Sequence, residues 1–149
     1  MKTDTRIFYE RCLANGLTTT ISIADAFSVG GQTVRNWLGD RTAKTPLERP
    51  WVWMALVGYE HLRQTHPDES PMQLITRIKT NAQRMDFERF EDWCQDQNLG
   101  PYREVAGAFG LTKQAVNQWF RRNRIPAWIP LAMLGYEQCQ GEKPDWCRG

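Results

Sequence analysis

The sequence predicts an all-α fold in which two similar small helical units follow one another, joined by a connecting helix. Three observations lead to this prediction. Apolar residues recur at helical spacing through most of the chain. Capping residues, glycines and prolines stand between these periodic segments, where helices begin and end. A long stretch near the N-terminus returns at a fixed offset in the second half.

The bulk composition is that of a globular protein and does not identify a partner. The 149 residues suit one domain or two small ones, and 24% charged residues is ordinary. The formal net charge of +2 indicates nucleic acid only if basic residues cluster locally. The longest apolar run, Trp51–Gly58, is far shorter than the about 20 residues of a membrane helix. Without a signal-peptide pattern, we expect a cytoplasmic chain whose four cysteines are free thiols.

The first unit, residues 1–64, is predicted to contain four helices. Asp4 is placed to cap a helix that runs to about residue 15. After a polar connector, two short helices are expected over residues 23–27 and 31–38. A loop then leads to Pro50, which suits the first position of a helix that continues to about residue 64.

Residues 65–85 form the predicted connector between the units. Ser70, Pro71 and Gln73 fit a capping box with proline in the first helical position. A helix is therefore expected from Pro71 to about Arg84. The second unit covers residues 86–140, and residues 141–149 are expected to be a loose tail.

The repeat relates the two units residue by residue. The offset is 82 over the first part and falls to 77 after a loop that is longer in the first unit. Most shared residues are apolar and helically spaced, so the units share mainly a core. The matched pairs include Asp4 and Asp86, Phe8 and Phe90, Cys12 and Cys94, Phe27 and Phe109, Gln32 and Gln114, Val34 and Val116, Trp37 and Trp119, Trp51 and Trp128, Gly58 and Gly135, and Glu60 and Glu137.

Residues 104–124 have the layout of a helix-turn-helix, in which two short helices are joined by a tight turn. Gly110 lies between the helical segments and is able to adopt the positive φ of the turn. The apolar positions are Val105, Ala106, Phe109, Leu111, Val116 and Trp119.

On these residues the second unit resembles the helix-turn-helix of the lambda repressor and Cro type of transcription regulators of phages and bacteria. A basic stretch ending Arg124-Ile125-Pro126 follows the motif, as is common in that family. The resemblance implies a sequence-specific regulator, with repression as the expected sign, that inserts the second helix of each motif into the major groove. The first unit departs from the pattern, because Ser28 replaces the turn glycine and Gly30-Gly31 opens its second helix.

The first turn and the outer stripe of each second helix supply the candidate DNA contacts. Gln and Asn bond adenine, Lys and Arg bond guanine, and basic residues also bond phosphates. In the second unit the candidates are Thr112, Lys113, Gln114, Asn117, Gln118, Arg121, Arg122 and Arg124. In the first unit they are Gln32, Thr33, Arg35 and Asn36, with Arg41, Lys44 and Arg49 as phosphate contacts.

The charge around the candidates differs between the units. Four basic residues and no acid lie from Thr112 to Ile125. Asp40 and Glu48 dilute the basic loop of the first unit. The helix over residues 86–96 is acidic, and we expect it to face away from DNA.

The sequence leaves two architectures open for DNA binding. Two readers in one chain would place two helices in successive major grooves, about 34 Å apart, on an imperfect palindrome or two unlike half-sites. Alternatively, the chain forms a homodimer through the helix of residues 51–64 or that of residues 71–84, and only the second unit contacts DNA.

A rival function is a protein-interaction or inhibitor module that keeps the fold without binding DNA. The acidic helix and the small net charge favour this alternative. The chain shows no nucleophile–base pattern or phosphate loop, so an enzyme is not expected. Cys139 and Cys147 have no CxxC spacing or nearby histidine, so neither a metal nor a cofactor is expected.

Overall fold

The computed structural model describes residues 1–100 and 102–148, and over these residues the all-α prediction is confirmed. The described chain forms nine α-helices, two 3₁₀ turns (Pro46–Glu48 and Asp145–Arg148) and no strand. None of these helices is both long enough and apolar enough to cross a membrane. The helices are α1 (Thr3–Ala14), α2 (Thr20–Phe27), α3 (Gly31–Leu38), α4 (Pro50–Thr65), α5 (Pro71–Gln83), α6 (Phe87–Asp96), α7 (Tyr102–Phe109), α8 (Lys113–Arg122) and α9 (Ile129–Cys139).

Helix α2 begins three residues earlier than the sequence predicts. Thr19 is its N-cap, and the Thr19 hydroxyl accepts the backbone N–H of Ser22 at 3.0 Å. The Ser22 hydroxyl in turn accepts the backbone N–H of Thr19 at 3.0 Å. This reciprocal pair is a capping box, so most of the expected polar connector is the first turn of the helix.

The predicted cap of α1 is wrong, whereas its counterpart in the second unit does act as a cap. Helix α1 begins at Thr3, and Asp4 lies in its first turn, where it accepts from the Thr45 hydroxyl at 3.3 Å. Asp86 is the N-cap of α6 and accepts the backbone N–H of Arg89 at 2.9 Å. The same residue type therefore bonds to a distant loop in one unit and to its own helix in the other.

The repeat seen in the sequence recurs as the same ring contacts in the two cores. The rings of Phe8 and Trp37 meet edge to face with centroids 5.8 Å apart. The rings of Phe90 and Trp119, at the matching positions, also lie 5.8 Å apart. Each unit thus fixes its second short helix, α3 or α8, on its first helix, α1 or α6, through one aromatic pair.

Helices α4 and α9 form the most extensive helix pair and join the two units. Their backbones touch at two glycines. A methyl group built on Gly58 would lie 2.2 Å from the carbonyl oxygen of Leu131, and one on Gly135 would lie 1.7 Å from that of Met54. Only glycine permits so close an approach.

A row of four tryptophans crosses the α4–α9 interface. The centroids of Trp37 and Trp51 are 5.8 Å apart, those of Trp51 and Trp128 are 4.2 Å apart, and those of Trp128 and Trp119 are 6.1 Å apart. Three of these rings are buried and Trp119 is half-buried, as expected for core residues. The row links α3 to α8 by direct packing.

Helix α5 has no counterpart in the repeat and contacts both units. Its Leu74 and Ile78 are buried, and it packs on α2 of the first unit and α9 of the second. Lys79 forms an ion pair with Asp25 of α2 at 3.9 Å. Its predicted capping box is confirmed, since Ser70 caps the helix and bonds reciprocally with Gln73.

The C-terminal segment packs on the first unit, so the expectation of a loose tail is wrong over the described residues. Cys147 is buried, and the 3₁₀ turn of residues 145–148 contacts α1. The Arg11 guanidinium lies 4.7 Å from the ring centroid of Trp146. Arg11 also donates two hydrogen bonds to Glu60, at 2.9 and 2.8 Å.

Candidate nucleic-acid interface

The turn before α8 and the inner face of α8 hold this helix in one position. Gly110 has a φ of +70°, as predicted, and a methyl group there would lie 2.3 Å from Cδ of Pro50. The Thr112 hydroxyl caps α8 by accepting the backbone N–H of Ala115 at 3.2 Å. Val116, on the inner face of α8, is buried. These contacts leave the opposite side of α8 facing solvent.

The outer stripe of α8 consists of Gln114, Gln118 and Arg121, which follow one another at spacings of four and three residues. All three are exposed, and Asn117 beside them is half-buried. In the part of the chain that the structure describes, no hydrogen bond or ion pair engages the side chains of Lys113, Gln114, Asn117, Gln118, Arg121, Arg122 or Arg124. Their donors and acceptors are therefore available to a ligand.

The charges on this surface all have one sign. Lys113 stands at the first turn of α8, Arg121 and Arg122 stand in its last turn, and Arg124 follows. All four are exposed, and no acid lies between Thr112 and Ile125. Because none of these cations has a close anionic partner, together they give this segment a positive local potential. The surface is suited to a polyanion.

The matching stripe of α3 is bonded within its own helix. Nε2 of Gln32 donates to Oδ1 of Asn36 at 2.9 Å. Nε and Nη2 of Arg35 both donate to Oε1 of Gln32, at 3.3 and 3.2 Å. A methyl group built on Gly31 would lie 3.2 Å from Nη1 of Arg35, so the guanidinium covers the first turn of α3. Thr33 is exposed beside this network.

One acid of the loop after α3, Asp40, is bonded to the start of the chain. Arg41 and Lys44 are exposed. Asp40 accepts from the Thr5 hydroxyl at 2.8 Å and from the Lys2 backbone N–H at 3.0 Å, and the Thr5 bond chiefly lowers the pKa of its carboxyl. Both bonds direct the Asp40 carboxylate to the start of α1.

The other loop acid and the last predicted phosphate contact are also held within the chain. Glu48 accepts the backbone N–H of Thr45 at 2.6 Å, which lowers the pKa of the Glu48 carboxyl. Arg49 is half-buried at the start of α4, and its Nε is buried without a hydrogen-bond partner. Arg49 is therefore less accessible than Arg41 and Lys44.

Sequence reasoning did not single out Phe120, an apolar residue at the edge of the basic surface. The Phe120 side chain is 54% exposed on α8, next to Arg121. Its ring lies 5.5 Å from that of Phe87 and 6.0 Å from that of Tyr102. The signal was its position four residues after the buried Val116, which puts it at the border of the apolar face of α8.

Across residues 1–100 and 102–148, no three His, Cys, Asp or Glu side chains are grouped so as to hold a metal ion. A cavity of about 480 Å³ lies between the C-terminal segment and α4. It is an open groove whose central polar groups, Arg11 and Glu60, already bond to each other.

Comparisons of this chain with protein-family models, with curated proteins and with solved structures returned no significant match.

Proposed function

We propose that the chain is a sequence-specific regulator of transcription that binds double-stranded DNA and inserts α8 into the major groove. One observation carries this proposal. The outer stripe of α8 exposes Gln114, Gln118 and Arg121 without internal partners, in a segment with four cations and no acid. Free amides and a free guanidinium on a capped helix are the groups that read base edges.

The residues of this surface divide into base-reading and phosphate-binding groups. Gln114 and Gln118 suit bidentate bonds to adenine, and Arg121 suits guanine, because each presents the required donors and acceptors. Asn117, at the side of the stripe, is a further base contact. Lys113, Arg122 and Arg124 neutralise phosphates and make the affinity depend on salt. Thr112, whose hydroxyl caps the helix, fixes the first turn on the DNA.

We propose that α3 contributes less than α8 to the recognition of the DNA sequence. Gln32, Arg35 and Asn36 must exchange some of their mutual bonds for bonds to bases, so part of the gain is offset. Arg41 and Lys44 are better placed for phosphates, because the nearby carboxylates of Asp40 and Glu48 are bonded elsewhere. Thr33 completes the contacts of this helix.

Repression is the sign of regulation that we propose. A chain bound in two major grooves over a promoter occupies DNA that RNA polymerase requires. The partner of the chain is then double-stranded DNA, and we propose no cofactor for DNA binding.

A titration with random-sequence and genomic duplexes at 50 and 200 mM salt tests the proposal. We expect binding at low salt that weakens steeply at high salt. Against a duplex selected for tight binding, Gln114→Ala and Arg121→Ala each weaken binding about tenfold or more. The control Gln83→Ala, on the exposed side of α5, leaves affinity unchanged. Absence of binding at low salt contradicts the proposal, as does wild-type affinity in both α8 variants.

A second function, a protein-interaction or inhibitor module, is favoured by one feature. Helix α6 exposes Glu88, Asp92 and Asp96, which repel DNA and suit a basic protein surface. The titration separates the two functions. A chain that acts only through α6 does not bind duplexes at either salt concentration.

A further inference from the structure

We infer that one copy of this chain reads two unlike half-sites that are arranged as an inverted repeat at a fixed spacing. The inference rests on the proposed function, because it concerns how α8 and α3 are presented to DNA together. It follows from the symmetry of the α4–α9 interface, the packing that joins it to the two helices, and the different side chains on those helices.

The α4–α9 interface has an internal two-fold relationship. Gly58 meets Leu131, and their counterparts in the other unit, Gly135 and Met54, meet each other in the same way. Trp51 stacks on Trp128, which is its own counterpart. Reciprocal contacts, and a residue that touches its own copy, belong to a two-fold interface, whereas a head-to-tail repeat joins two different surfaces.

The two-fold relationship extends from this interface to α3 and α8. Trp37 of α3 packs on Trp51 with ring centroids 5.8 Å apart, and Trp119 of α8 packs on Trp128 with ring centroids 6.1 Å apart. Trp37 and Trp119, the outer rings of the row, also pack edge to face on the matching phenylalanines of their own units, Phe8 and Phe90. Helices α3 and α8 are therefore copies of each other about the same axis. Helices so related read half-sites of opposite direction, because duplex DNA has the same symmetry.

The spacing between the two helices is fixed by packing. The row of four tryptophans connects α3 to α8 by continuous ring packing. Helix α5, which connects the two units along the chain, packs on α2 and on α9, and its Leu74 and Ile78 are buried. Modules on a flexible linker tolerate variable spacing, whereas a rigid pair requires one fixed spacing between its half-sites.

The half-sites differ because matched positions carry different side chains. Gln114 corresponds to Gln32, but Arg121 corresponds to Gly39, which has no side chain. Asn117 and Gln118 correspond to Arg35 and Asn36. The two-fold symmetry is therefore broken at the protein surface that faces DNA, and the chain binds its site in one orientation only.

A second chain is not needed to complete the site. The apolar face of α4 is covered by α9 of the same chain, as Gly58 and Trp51 show. One chain therefore presents two DNA-reading helices, whereas a symmetric dimer presents one helix from each of its two chains.

Selection from a random 40-base-pair duplex library, followed by redesign of the selected duplex, tests the inference. We expect two unlike half-sites in inverted orientation and one chain per duplex by sedimentation equilibrium. Turning one half-site around to give a direct repeat, or inserting five base pairs between the half-sites, should weaken binding about 100-fold, because one of the two contacts is lost. These changes are made in the DNA, so the protein remains folded throughout.

Two double variants assign the half-sites. Gln32→Ala with Arg35→Ala should abolish discrimination at one half-site, and Gln114→Ala with Gln118→Ala at the other. A preferred direct repeat, a single half-site, two chains per duplex or tolerance of the five-base-pair insertion would each overturn the inference and leave DNA binding by α8 standing. Failure to bind any duplex at low salt instead overturns the proposed function.

Discussion

The indole rings of Trp51 and Trp128 stack at a centroid distance of 4.2 Å, with their planes 24° apart. These residues hold the same position in the two copies of the repeat. The two copies therefore contact each other through equivalent residues. The stack lies at the N-terminal ends of α4 and α9, whose backbones come into contact at Gly58 and Gly135. The stability of the chain should therefore depend on this region more than on either unit alone.

Alanine at Gly58 should destabilise the chain severely. Its methyl group would lie 2.2 Å from a carbonyl oxygen, which belongs to backbone and is unable to rotate away. Helices α4 and α9 must then separate, at a cost of about 3 kcal/mol in the free energy of unfolding. Urea denaturation followed by circular dichroism measures this change, and a loss below about 0.5 kcal/mol would show that the helices do not meet as described.

Gly107→Ala is the matched control for that substitution. Gly107 lies within α7, and a methyl group there meets nothing within 4 Å. Because glycine is a poor helix former, alanine should stabilise the chain by about 0.5–1 kcal/mol. Opposite signs at Gly58 and Gly107 would separate close packing from helix propensity.

Ser28→Gly should stabilise the chain by about 1 kcal/mol. Ser28 occupies the left-handed conformation with φ +53°, at the place where the second unit has Gly110. Its hydroxyl oxygen is also buried without a hydrogen-bond partner. Glycine removes both costs, and thermal unfolding should show a higher midpoint. A lower midpoint would mean that the Ser28 side chain makes a compensating contact.

Asp40→Asn should destabilise the chain near neutral pH and progressively less in acid. The hydrogen bond from Thr5 chiefly lowers the pKa of the Asp40 carboxyl in the folded chain. A carboxyl with a lowered pKa stabilises the fold above its unfolded pKa, about 3.9, and this stabilisation is lost as the pH falls through the folded pKa. Melting temperatures of both proteins from pH 7 to pH 2 should converge. Asp92→Asn, on the exposed face of α6, is the control and should leave the melting temperature nearly unchanged.

Thiol labelling at pH 8 should reach Cys139 before the other three cysteines. All four are free, and burial raises the pKa of the Cys94 and Cys147 thiols to about 12 and that of Cys12 further still. Burial also raises the pKa of the Cys139 thiol, but its side chain is only half-buried. Since the thiolate is the reactive species, a chromogenic disulfide reagent should modify Cys139 slowly and the rest only on unfolding. The early reaction should disappear in Cys139→Ser.

The sequence alone was sufficient for features that depend on neighbouring residues. Helical spacing predicted the core positions, and Pro50, Ser70 and Gly110 predicted a helix start, a capping box and a left-handed turn that the structure contains. Local signals were ambiguous where two roles compete for one residue. Thr19 and Ser22 form a helix start although the sequence there favours a polar connector, and Asp4 bonds to a distant loop although its position also suits a cap of its own helix.

Tertiary structure decided which buried faces meet and how. The repeat showed that Gly58 and Gly135 match, but only the fold brings each against the backbone of the other unit, because periodicity marks an apolar face without naming its partner. The tail has too short an apolar segment to show a period, yet Cys147 is buried on the first unit. The candidate site divides in the same way. The sequence identified the stripes of α3 and α8 as candidates, whereas the structure shows that the α8 stripe is free of internal bonds and that the α3 stripe is bonded within its own helix.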